Sequence, residues 1–219
     1  MTMIATWAAL ITALLASAAA PAPQGGRLEY EGPPSPEAAS AKADRLIEAA
    51  GAQGVFVNAS TGPTTVVLHG RSGLRCYDAT QITVFDSGSE RGDGVACDFV
   101  NGDERTTLLV YYTPHRARRP PADDIGLHGL SGPFAVYEGP NSEHDPSRPR
   151  AWAKAPAHPA ERRTAVRDGA AVFTRLSIGR AGEWTVLERT TGPLALAKAV
   201  DYHGDALMIG ALLELAERQ

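Results

Sequence analysis

The first helical pattern begins after residue 34, where Ala39, Ala43, Leu46, Ile47 and Ala50 recur at spacings of three and four. Such spacing puts them on one stripe of an α-helix. Ser35 precedes Pro36 and Glu37, a cap followed by a pre-set first turn and a favourable charge at the helix dipole. Gly51 then supplies a left-handed stop. The pattern predicts a helix from Ser35 to Ala50.

From Gly54 the period shortens. Short runs rich in β-branched and aromatic residues, Val55–Val57, Thr64–Leu68, Leu74–Tyr77 and Gln81–Phe85, are separated by Gly and Pro and read as strands. Alternation continues through Val95, Cys97 and Phe99 to Asn101-Gly102, the strongest short hairpin signal in the chain, with Thr106–Thr113 as the return strand. Residues 114–132 combine a helix start at Pro120–Asp124 with the weakening Gly126, Gly129 and Gly132, which predicts a short or irregular helix. Phe134–Tyr137 reads as a short strand, and residues 138–160, with five prolines, as a long, exposed and mobile loop. Asp168-Gly169 and Ala181-Gly182 then mark successive hairpins around Ala171–Ile178 and Trp184–Thr190. After Gly192-Pro193 a last helix is predicted, with Leu196, Val200, His203 and Leu207 on one stripe and Ala206–Leu213 apolar almost all round. This order predicts an α+β fold, a mostly antiparallel sheet packed by an N-terminal and a C-terminal helix.

The stretch before the first helix has a different character. Met1–Ala20 carries no charged side chain, is apolar through Ile4, Leu10, Ile11 and Leu14, and ends in the small residues Ala16, Ser17 and Ala18. It reads as a cleavable signal peptide, residues 1–20, followed by a Pro- and Gly-rich linker, 21–34, and one domain, 35–219. The expectation is a periplasmic or secreted protein, with no stable membrane span once the leader is removed. Cys76 and Cys97 are the only cysteines, and an even count in an oxidising compartment reads as a disulfide. They fall on different predicted strands, so a bridge requires those strands to be neighbours. The formal charge of −4 and pI near 5.9 give no electrostatic footprint for nucleic acid.

The segments Gly54–Asn58, Ser72–Cys76, Arg91–Cys97, Val172–Arg175 and Trp184 with Thr191–Pro193 resemble a group of uncharacterised exported bacterial proteins. That group implies no activity or catalytic residue. The element order also resembles the PsbP/Mog1-like α+β sandwich, which implies a fold and not a function.

Candidate chemistry is sparse. No GxSxG nucleophile elbow occurs, and Ser87 and Ser131 sit in turn-like surroundings. The six histidines are scattered, without HExxH, and the closest cluster, Glu143, His144 and Asp145, falls in the Pro-rich loop. No metal site or cofactor is expected. Asp123 and Asp124 are adjacent and suit a helix start better than a carboxylate pair. The basic run His115, Arg116, Arg118 and Arg119 lacks interleaved aromatics. Arg91-Gly92-Asp93 spells an adhesion tripeptide in a turn-rich stretch, and Asn58-Ala59-Ser60 is a glycosylation sequon. His203 is the weak catalytic candidate, because a histidine on an apolar stripe is buried or lines a cavity; His69 and His128 are its alternatives. The expectation is a non-catalytic envelope module that binds a protein, lipid or small ligand. The rival is a hydrolase-like enzyme with a site assembled from distant residues.

Overall fold

A computed structural model describes residues 34–85, 92–113 and 129–218, which belong to one compact unit. The leader, the linker through residue 33, Ser87, Arg91, and the stretch 114–128 with its histidines, arginines and aspartates lie outside the described residues.

Helix α1 runs Pro36–Ala49, and the Ser35 hydroxyl accepts from the Ala38 amide at 3.2 Å as its cap. Gly51 follows at φ +59°, the left-handed stop its position predicts. Three short strands come next, β1 (Phe56–Asn58), β2 (Val66–His69) and β3 (Arg75–Tyr77), forming a small antiparallel sheet in that order. The remaining strands are β4 (Gln81–Phe85), β5 (Gly94–Asn101), β6 (Glu104–Tyr112), β7 (Ser131–Val136), β8 (Ala160–Arg167), β9 (Ala170–Ala181) and β10 (Trp184–Pro193). They make a seven-stranded antiparallel sheet ordered β4-β5-β6-β10-β9-β8-β7. Helix α2, Ala197–Ala216, closes the described chain.

The fold is therefore mixed α and β, with antiparallel sheets and two helices, one of them C-terminal. The strands divide into two sheets rather than the single sheet expected. Cys76 on β3 and Cys97 on β5 lie at disulfide distance, with Cα atoms 6.2 Å apart, but they face each other between the sheets and not as lateral neighbours. One core joins both sheets to both helices, with Ala43 and Ile47 from α1, Phe56, Val67 and Leu74 from the small-sheet region, Val95, Leu108, Val110 and Val186 from the large sheet, and Met208, Leu212 and Leu215 from α2. Burying one such aliphatic side chain stabilises by about 1.5–3 kcal/mol. Ala96, Leu109, Tyr111 and Leu187 form a separate buried cluster on the face of the large sheet that points away from the helices.

Two features differ from expectation. Strand β8 hides in the sequence Ala-Glu-Arg-Arg-Thr-Ala-Val-Arg, whose charges mask its alternation; the Asp168-Gly169 turn fixes it by pairing Arg167 with Ala170. Both turn residues have positive φ, +52° and +79°, the backbone a two-residue hairpin of this twist requires. Residues 138–160 contain two 3₁₀ turns, Ser142–His144 and Arg150–Lys154, and are tied to α2 by side-chain bonds. Among the described residues no helix is long and apolar enough to cross a membrane.

Candidate functional site

The buried stripe of α2 is not the one its apolar residues predict. Ala197, Val200, Asp201, Gly204, Asp205, Met208, Ile209 and Leu212 face inward, whereas Leu196 is 57% exposed. The helix passes close over the sheet at small residues: a Cβ on Gly204 would lie 2.5 Å from Glu188 Oε1 and 2.6 Å from Thr190 Oγ1. This proximity brings Asp201 and Asp205, one helical turn apart, onto the inward-facing positions of β9 and β10.

Arg175 from β9 is the centre of the resulting cluster, with no exposed surface on its side chain. Its Nη2 donates to Asp205 Oδ1 at 2.9 Å, its Nη1 to the Asp201 carbonyl at 3.2 Å, and its Nε lies 3.2 Å from Glu188 Oε2. Glu188 also accepts from the Thr190 hydroxyl, which lies 2.9 Å from that of Thr106. From β8, Arg162 Nε donates to Asp201 Oδ1 at 2.8 Å and Nη2 to Glu143 at 2.9 Å. Four contacts tie residues 138–160, a strap, to α2: the Ser142 amide to Asp201 at 2.6 Å, Arg148 to Asp205 at 2.9 Å, His158 Nε2 to Asp205 Oδ1 at 3.2 Å, and Lys198 of α2 to Asp145 at 2.8 Å. Trp152 packs its ring on Tyr202 at 5.1 Å and carries the Arg148 guanidinium over its face. Buried charges survive only when paired and hydrogen-bonded, and this layer alternates Arg175, Arg162, Arg148 and His158 with Glu188, Asp201, Asp205 and Glu143.

Burial pushes Glu188 up to about 7, against the opposing pull of Arg175 and the Thr190 hydroxyl. Burial also acts to raise Asp205, but the His158 hydrogen bond and the Arg175 charge outweigh it and hold Asp205 at about 2. His158 is raised above the ordinary histidine value, chiefly by its bond to Asp205. Its Nδ1 sits 2.7 Å from the Pro156 carbonyl, an acceptor only, and its Nε2 faces a carboxylate. Both ring nitrogens therefore act as donors, the arrangement of an imidazolium with no lone pair free to accept a substrate proton.

The strap itself encloses a cleft of about 630 Å³, lined by Arg148, Arg150, Trp152, His158 and Glu143 with Pro149, Pro156 and Pro159. Small apolar surfaces, one large aromatic ring and a few charged groups are the usual furnishing of a ligand cleft.

The residues singled out from sequence fall elsewhere. His203 is 53% exposed and bonds Glu104 Oε2 at 3.0 Å, because the inward stripe of α2 runs through Asp201, Gly204 and Asp205 instead. His69 is fully buried, with Nε2 donating to the Gly92 carbonyl at 3.0 Å and Nδ1 accepting from Ser72 Oγ at 2.7 Å. Burial holds its pKa down at about 4. Phe56 and Trp184 pack against its ring, and Ser72, itself buried, also accepts from the Leu74 amide. The pair pins a turn and has no solvent access for a substrate. Ser131, on exposed strand β7, donates to the Val166 carbonyl of β8. Asp93 is buried against Arg71, so the adhesion tripeptide does not present its carboxylate. The Asn58 amide donates to Ser40 and Asp44 of α1. Glu143 and Asp145 are ion-paired strap residues rather than free loop charges, and among the described residues no group of His, Cys, Asp or Glu is arranged to hold a metal.

Sequence reading missed Arg175, Glu188, Asp201, Asp205, Arg148, Arg162 and His158. The signal was present: Arg175 and Glu188, of opposite sign, occupy inward positions of two strands joined by one hairpin, and Asp201 and Asp205 repeat at i, i+4 on the stripe of Ala197 and Met208. No family model, curated protein or solved structure matches this chain.

Proposed function

We propose that this protein is a non-catalytic binding module of the cell envelope, periplasmic or secreted, that holds a small ligand in the cleft formed by the strap. The observation that carries this reading is the state of His158. It is the histidine that borders the cleft and contacts a buried carboxylate, yet both its nitrogens are committed as donors. A layer whose acids and bases neutralise one another suits a scaffold that fixes a strap, not a proton-transfer device. The disulfide-distance pair Cys76–Cys97 fits an oxidising compartment, and the apolar leader supports export. Kinship with uncharacterised exported bacterial proteins is part of the same proposal.

The rival hydrolase-like reading draws on the Ser72–His69 bond, but both residues are sealed from solvent. Thermal-shift screening of the purified chain against polar and lipid extracts of the envelope tests the choice. A ligand should raise the melting temperature of the wild type and not of Trp152→Ala, whose ring forms the cleft wall. No response to any fraction, or turnover of an ester, phosphate, glycoside or peptide substrate that disappears in His158→Gln, would overturn the reading.

A further inference from the structure

The face of the seven-stranded sheet opposite α2 holds a charge of a different kind. Arg189 lies on β10, one residue after Glu188, so its side chain points to the other side of the sheet. It is only 7% exposed, yet it makes no hydrogen bond or ion pair among the described residues, and its Nε is buried without an acceptor. Among the described residues the other arginine buried to this degree, Arg175 at 1%, has three anions. Glu188 is next in sequence but faces α2 and is engaged by Arg175. Desolvation accordingly depresses the Arg189 pKa. A buried cation without a partner is costly, and folded chains keep one where something else supplies the counter-charge.

The surroundings show what that is. Arg189 lines a recess of about 310 Å³ with Phe134, Glu161, Arg163, Thr174 and Leu176. Register places Leu176 beside Arg189 and Glu161 beyond it, while Thr107 on the other flank is bound to Asp98. Glu161 is 72% exposed and approaches Arg163 only at 3.5 Å, so it is a loosely held anion at the rim and not the partner of Arg189. Two guanidinium groups against one carboxylate leave the recess one positive charge in excess, which suits a monoanion better than a dianion. The planar N–H edge of an arginine matches the two oxygens of a carboxylate, and Thr174, whose hydroxyl lies 3.0 Å from that of Thr191, adds a polar wall. Phe134, 43% exposed, and Leu176 offer apolar surface to the rest of the ligand.

We propose that this recess is a second binding site, in which Arg189 anchors the carboxylate of a small, partly apolar monocarboxylic acid, with Arg163 and Thr174 at its wall. It is independent of the strap cleft, from which the sheet separates it.

The test uses the ¹⁵N-labelled purified chain, benzoate as probe, and benzamide and inorganic phosphate as controls. Benzoate should move the Arg189 Nε resonance and, at a hundredfold excess over its Kd, raise the melting temperature by about 5 °C. Benzamide, of the same shape without the charge, should do neither. Arg189→Met should abolish the benzoate response while raising the melting temperature of the free protein by about 3 °C, since an apolar chain of similar length removes the stranded charge. A structural arginine would behave oppositely, and a lower melting temperature in Arg189→Met overturns the proposal. So does an Arg189 resonance that ignores benzoate in the wild type, a result that needs no variant to fold. Phosphate acting as strongly as benzoate overturns the carboxylate assignment.

Discussion

Replacing Arg175 with Met should expose how the charged layer is held. The side chain is wholly buried, and the substitution removes the 2.9 Å bond to Asp205, the 3.2 Å approach to Glu188 and the 3.2 Å bond to the Asp201 carbonyl. The three carboxylates do not suffer equally. Asp205 keeps Arg148 and His158, and Asp201 keeps Arg162 and the Ser142 amide, but Glu188 is left with the Thr190 hydroxyl alone. Stranding one charge of a buried pair costs about 3–5 kcal/mol, a large part of the roughly 5–15 kcal/mol by which a domain of this size is stable. Urea unfolding of Arg175→Met at pH 8 should show a loss in that range. The pH dependence carries the sign. Glu188 is raised in the folded state to about 7 from 4.5, so the native protein binds the extra proton, and its contribution to stability declines as pH rises from about 4.5 to about 7. Without Arg175 the carboxyl rises further, and the variant should be hurt less at pH 5.5 than at pH 8. The double variant Arg175→Met/Glu188→Met should recover at least about 2 kcal/mol relative to the sum of the single changes. A loss under about 1 kcal/mol at both pH values, or no rescue by the second change, would refute the assignment of Glu188 as the stranded charge.

The strap should respond to pH through His158. Its folded pKa lies above the unfolded value of about 6.5, so the bond to Asp205 contributes fully below pH 6.5 and fades as pH climbs through the folded value. Hydrogen exchange of amides 142–158 should therefore accelerate, beyond the intrinsic base dependence, between pH 6 and pH 9 in the wild type but not in His158→Asn; parallel profiles would count against a protonated clamp. Gly204→Ala should destabilise by about 1–3 kcal/mol despite better helix propensity, because its methyl group enters the space of the bonded Glu188–Thr190 pair. An equal or higher urea midpoint for that variant would mean the close approach of α2 is not required.

Local chemistry made the outline of this fold readable. Ser35 with Pro36 and Gly51 bracket α1, and Asp168-Gly169 and the glycine at 182 turn the hairpins of β8, β9 and β10, because caps and turns are decided by neighbouring residues. Two things were not local. Division of the strands into two sheets depends on whether β3 pairs with β4, which alternation cannot express. The charged layer looks in sequence like ordinary surface polarity, since Asp201, Gly204 and Asp205 interrupt the apolar stripe that would otherwise define the inner side of α2. His203 drew attention by the same rule, standing seven residues from Leu196 on a stripe that turns outward.

That α2 follows the meander in the chain bears on how the charged layer is assembled. The meander β8–β9–β10 is made by short-range contacts and can form early, but its inner side carries two guanidinium groups, Arg162 and Arg175, against the single carboxylate of Glu188, so positive charge is in excess there until further carboxylates arrive. Those carboxylates, Asp201 and Asp205, stand on α2, which follows the meander in the chain. The excess of guanidinium charge should keep that side of the meander hydrated, so that it is expected to pack only once α2 supplies the missing carboxylates.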